Sequence, residues 1–91
     1  MNREECEQRL AGCRAEIDEI DRELIAMMNR RTRVVEEIGR LKQDLKLAIY
    51  EPRREDQVFE NVLSANGGPL SNDAARRIFE RIIDEMRTVQ R

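Results

Sequence analysis

Apolar residues recur at Leu10, Cys13, Ile17, Ile20, Leu24, Met27, Val34, Ile38, Leu41 and Leu45, a spacing of three and four that marks one seam of a single long helix. Between about residue 5 and residue 45 there is no Pro, and only Gly12 and Gly39 interrupt a run rich in Glu, Arg, Leu and Ala. About forty helical residues extend roughly 60 Å, whereas a compact globule of this length is only about 30 Å across. Half of such a helix overhangs any core the chain can build for itself.

Two shorter helices follow. Pro52 suits a first helical position, with Glu51 before it and an inward stripe of Glu55, Val58, Phe59, Val62 and Leu63 behind it. Asn66-Gly67-Gly68-Pro69 is a loop signal, after which Ser71 caps a third helix with an apolar face of Ala75, Ile78, Phe79, Ile82, Ile83, Met86 and Val89. Lys46 to Tyr50 joins the first two helices. The expected fold is all-α, with three helices in one domain spanning residues 1–91. Helices of 15 to 20 residues cannot cover a seam running the full length of the first, so Ile, Leu and Val would face water. A second copy, its long helix antiparallel to the first, would cover them with closed two-fold symmetry, which predicts an intertwined homodimer.

Seventeen basic and nineteen acidic side chains leave a net charge of −2, too little field to attract nucleic acid. No apolar run approaches the roughly 18 residues of a membrane span, and Met1 to Arg9 has no hydrophobic leader core; a cytoplasmic location is expected. With no His, a zinc site would rest on thiolates and carboxylates, and none is assigned; nor is imidazole available for proton transfer. Cys6 and Cys13, about 10 Å apart along the helix, are too distant for a disulfide within it and read as reduced, packed thiols.

One slot of the seam is occupied by the wrong kind of residue. Arg31 stands where an apolar side chain belongs, and a guanidinium there needs a partner or a route to water. Lys42 lies eleven residues on, three helical turns, so Arg31, Val35, Ile38 and Lys42 form one line. Two cations on a face with Val35 and Ile38 suit a small apolar pocket for a compact dianion. Arg14, about 25 Å before Arg31 along the axis, reads alone as a solvated residue but could reach the same ligand across an antiparallel dimer. Glu55 leans toward the core one turn before Val58 and Phe59, although an acid in a first helical turn is also favoured by the helix dipole. Gln90 continues the line Phe79, Ile83, Met86 with a neutral amide, close to a chain end that could fray.

The order of these residues is more specific than any one of them. The segments CRAEIDEIDRELIAMMNRR, IGRLK, EPRRE and IFERIIDEMRTVQ resemble, in motif and spacing over about residues 8–90, the all-helical chorismate mutase family. The resemblance implies an entwined helical dimer that converts chorismate to prephenate with no cofactor and no covalent intermediate. It also implies roles: Arg14 is lent by the partner chain, Arg31 and Lys42 are the cationic residues of the long helix, Glu55 holds the substrate hydroxyl, and Gln90 lies near the breaking ether bond. Arg54 matches a further arginine, Glu51 stands where relatives often carry Asp, and Ile38 and Ile83 match apolar walls. Met86 departs from the family, standing where many members have Ser, so that polar contact is lost or replaced by backbone or by Arg87.

Two other readings compete. An isochorismate pyruvate lyase shares the fold and the Arg, Arg, Lys, Gln set, but a carboxylate at Glu55 suits the ring hydroxyl of chorismate better, while apolar Met86 leans toward the lyase. A non-catalytic helical interaction module would dimerise through the same seam, but would prefer Leu or Ile to Arg31.

Overall fold

The computed structural model describes residues 1–91 and contains three helices: α1, Arg3–Leu45; α2, Pro52–Ala65; and α3, Asn72–Val89. There is no strand. Contacts divide the chain into two units, Met1–Arg31 and Thr32–Arg91. No helix is long and apolar enough to cross a membrane.

The first unit is a lone helical segment. Asn2 starts it: its Oδ1 accepts from the Glu5 backbone N–H at 2.8 Å, while its amide donates back to the Glu5 carboxylate at 3.4 Å. Glu4 and Glu5 in the first turn also meet the positive end of the helix dipole. A single helix cannot bury its own stripe, and Leu10, Ile17, Ile20, Leu24 and Met27 are all exposed. Cys6 and Cys13 are free and, within the single chain, exposed, because their stretch of helix has nothing within its unit to pack against.

The second unit holds the core, built on Val35 of α1 and Ala75, Ile83 and Met86 of α3. Along α1 the buried residues are Val35, Gly39 and Lys42, which follow one another by four and three and so face one way. This line is not the predicted seam. Val34, Leu41 and Leu45 remain exposed, and Ile38 is still 39% exposed, so the line drawn through Arg31, Val35, Ile38 and Lys42 passes instead through Gly39. The reason is a close approach. A Cβ on Gly39 would lie 3.1 Å from the Gln90 Cα and 3.2 Å from its carbonyl oxygen, so only Gly lets the end of α3 sit against α1 there.

Each helix end in this unit has a local cause. α1 stops at Lys46, a non-glycine residue at φ 58°, with Leu47 N–H donating to the Lys42 carbonyl at 2.8 Å and Lys46 N–H to that of Gln43 at 3.1 Å. This is the six-to-one and five-to-two pairing that closes a helix on a left-handed residue, here without the glycine that usually supplies it. Pro52 opens α2, and Glu51 caps it by position only, because its side chain makes no capping hydrogen bond. Asn66 organises the next loop, donating to the Leu70 carbonyl and the Asn72 side chain, each at 2.8 Å, and accepting from Gly68 N–H at 3.1 Å. Ser71 caps α3 as expected, its hydroxyl accepting from Ala74 N–H at 3.1 Å. α2 packs along α3, with Arg76 stacked 4.6 Å over the Phe59 ring.

Candidate active site

Lys42 reaches the last turn of α1 on the covered face, and its residue is only 7% exposed. A buried ammonium is tolerable when it is hydrogen-bonded and paired with an opposite charge. Here Nζ lies 2.7 Å from the Ile49 carbonyl, 2.8 Å from Gln90 Oε1 and 2.8 Å from Glu51 Oε1. The left-handed turn at Lys46 makes this set possible, because it turns the chain sharply after α1 and lets Ile49 and Glu51 come back to Lys42. The diversion of the Glu51 carboxylate to Lys42 is also why it does not cap α2.

Gln90 is held in a defined sense. Lysine only donates, so the amide oxygen must face Nζ, and the amide nitrogen with its two hydrogens is turned elsewhere. The residue is the C-cap of α3, its N–H bonded to the Met86 carbonyl, so its backbone is not frayed.

A second ionic group lies on α2 and α3. Glu55 receives a forked guanidinium from Arg87, Nε to Oε2 at 2.9 Å and Nη2 to Oε1 at 2.5 Å. Arg87 also donates to Asp84 at 2.7 Å and stacks 5.3 Å over the Tyr50 ring. The hydrogen bonds to Glu55 are the largest influence raising the Arg87 pKa above its ordinary value, so the guanidinium is a fixed positive charge. No buried side-chain nitrogen or oxygen in the chain lacks a hydrogen-bond partner.

Among the residues singled out in the sequence, Lys42, Glu51 and Gln90 are in direct contact, and Glu55 is tied through Arg87 to α3. Ile83 and Met86 lie in the core beside them, with the Thr32 hydroxyl 3.7 Å from the Met86 sulfur. Arg54 is exposed and donates weakly to Gln57 at 3.4 Å, and Ile38 is exposed. Arg14, exposed, and Arg31, half-buried, belong to the first unit, so the cluster described here is built from second-unit residues alone. Sequence reasoning missed the Ile49 carbonyl and the Arg87 fork. A main-chain oxygen leaves no side-chain signal, and Arg87 looks like any charged residue on an exposed helix face. No three carboxylates or thiols converge to hold a metal ion.

Comparison with known proteins gives a consistent result. Residues 13–91 match the family described as chorismate mutase type II. A bifunctional chorismate mutase/prephenate dehydratase of Aquifex aeolicus is 35% identical over 80 residues, covering 84% of this chain; the chain spans 22% of that relative's length. A chorismate mutase of Thermus thermophilus superposes with a TM-score of 0.88 at 32% identity, over 90% of this chain and 93% of its own. A chorismate mutase of Helicobacter pylori, solved in complex with prephenate, superposes with a TM-score of 0.84 at 25% identity, over 91% and 90%.

Proposed function

The chain belongs to the chorismate mutase type II family, and we propose that it converts chorismate to prephenate by a Claisen rearrangement. The observation that carries this reading is the pairing of a buried ammonium, Lys42, with the oriented amide of Gln90. The rearrangement is unimolecular and transfers no proton, so a chain without His lacks nothing it needs. Shape and charge are what it requires.

In this mechanism Arg14 from the partner chain and Arg31 from the same chain as Lys42 hold the two substrate carboxylates and keep the enolpyruvyl arm over the ring. Lys42 and the Gln90 amide nitrogen donate to the ether oxygen, where negative charge grows as the C–O bond breaks ahead of C–C bond formation. Gln90 is already turned for this, because Lys42 takes its oxygen. Two of the Lys42 hydrogens are held by Ile49 and Gln90, and Glu51, ion-paired with the ammonium and with a side chain 49% exposed, is the neighbour free to swing away as the substrate oxygen arrives. Glu55 accepts from the ring hydroxyl through a lone pair that Arg87 does not use. Arg54, Ile38, Ile83 and Met86 complete the enclosure. The working form is a homodimer of the single 1–91 domain, cytoplasmic, without cofactor, nucleic acid or membrane partner. Its support is the open seam of α1, which the chain's own helices leave bare.

The test is to incubate the protein with chorismate, follow the loss of its ultraviolet absorbance and identify the product. Prephenate is expected from the wild type. Lys42→Ala should lose about 3 kcal/mol of transition-state stabilisation, roughly a hundredfold in kcat/KM. Thermal unfolding of Lys42→Ala beside the wild type checks that the loss is catalytic rather than a failure to fold. Pyruvate released from isochorismate, with chorismate unchanged, would replace this reading by the lyase.

A further inference from the structure

We infer that Arg87 is a positioning residue for Glu55, fixing the carboxylate that receives the substrate hydroxyl; the inference rests on the mutase reading above. Glu55 lies in the first turn of α2 and Arg87 in the last turn of α3, 32 residues apart, so the fork between them joins two elements that only packing brings together. Both carboxylate oxygens are engaged by parallel N–H donors. That geometry fixes the carboxylate plane as well as its place, which a single hydrogen bond would not do.

Arg87 is itself fixed from two further sides. Asp84, one turn earlier on α3, takes Nη1, and the Tyr50 ring lies under the guanidinium. The guanidinium plane that faces Glu55 is therefore also held by contacts other than Glu55. A hydroxyl that donates to Glu55 meets an acceptor whose orientation is set beforehand, and no side-chain rotation remains to be frozen on binding. Arg87 belongs to the positioning shell rather than to the substrate contacts, because its hydrogen bonds run to Glu55 and Asp84.

The test compares steady-state kinetics on chorismate for the wild type, Arg87→Lys, Arg87→Met, Glu55→Gln and the double variant, with thermal unfolding recorded for each. Arg87→Met should raise KM about tenfold while kcat changes less, the loss corresponding to one well-placed charge-assisted hydrogen bond. Arg87→Lys, a point charge without the fork, should recover only part of it. In the Glu55→Gln background, Arg87→Met should have almost no further effect on KM, because the group it positions is already altered. Equal and additive losses in both backgrounds overturn the inference, since Arg87 would then act on the substrate directly. Wild-type KM in Arg87→Met, or losses that track only the unfolding temperature, overturn it as well. A wild type that makes no prephenate overturns the mutase reading, and this inference with it; an active wild type with additive losses overturns the inference alone.

Discussion

Val34 and Val35 are neighbours on the same helix, yet Val34 is 56% exposed and Val35 only 7%. The pair stands for two faces of α1. One face carries Val35, Gly39 and Lys42 and is closed by the end of α3; the other carries Val34, Leu41 and Leu45 and is left open, as are Leu10, Ile17, Ile20, Leu24 and Met27 in the first unit. The more apolar face is the open one. Hydrophobic spacing thus identifies an apolar face, but not whether the chain's own helices cover it. The face used by the chain itself is built around a glycine and a lysine, and is selected by close approach and hydrogen bonding rather than by apolar content.

The sharpest way to break this comparison is to shorten one isoleucine on each side. Ile83→Ala, in the covered core, should lose about 3 kcal/mol of stability whatever the protein concentration. Ile17→Ala, on the open face, should lose stability only through the proposed dimer, so its unfolding midpoint should fall further as the protein is diluted. Chemical denaturation at several protein concentrations separates the two, and a concentration-independent loss for Ile17→Ala would refute a second chain on that face.

The two glycines of α1 sharpen the contrast with smaller effects. Gly39→Ala places a methyl group against the Gln90 backbone and should cost about 1 to 3 kcal/mol, displacing Gln90 and lowering kcat with it. Gly12→Ala meets no atom within 4 Å and should stabilise the chain by about 0.5–1 kcal/mol, the ordinary helix-propensity difference. Thermal unfolding of the pair should therefore give opposite signs. The smallest change is expected at the end of α1, where Lys46→Gly relieves a left-handed conformation and should raise stability by roughly 0.5–1 kcal/mol, provided the turn is kept.

What the sequence disclosed follows the same division. Pro52, Ser71 and the three-and-four spacing announce three helices because these signals are local, each acting within a turn or two of its own residue. Lys42 could be placed on a face for the same reason. The end of α1 could not be read from residue type, since a lysine holds the position where glycine would have advertised a left-handed turn. The choice of Gly39 over Ile38 for the covered line depends on how near α3 comes, a distance no periodicity encodes. Likewise the Glu55 fork and the Ile49 carbonyl depend on the register between helices and on a connection without pattern. The thiols find no packing within the chain because Cys13 shares the face that the chain leaves bare.

Lys42, hydrogen-bonded to the Ile49 carbonyl and Gln90 and ion-paired with Glu51, has a consequence for how an anion enters. Binding there is a substitution, in which a substrate oxygen takes the place of the Glu51 carboxylate, rather than the addition of charge to a naked cation. An exchange of one anion for another changes local charge little, so added salt should weigh less on this step than on capture by the arginines.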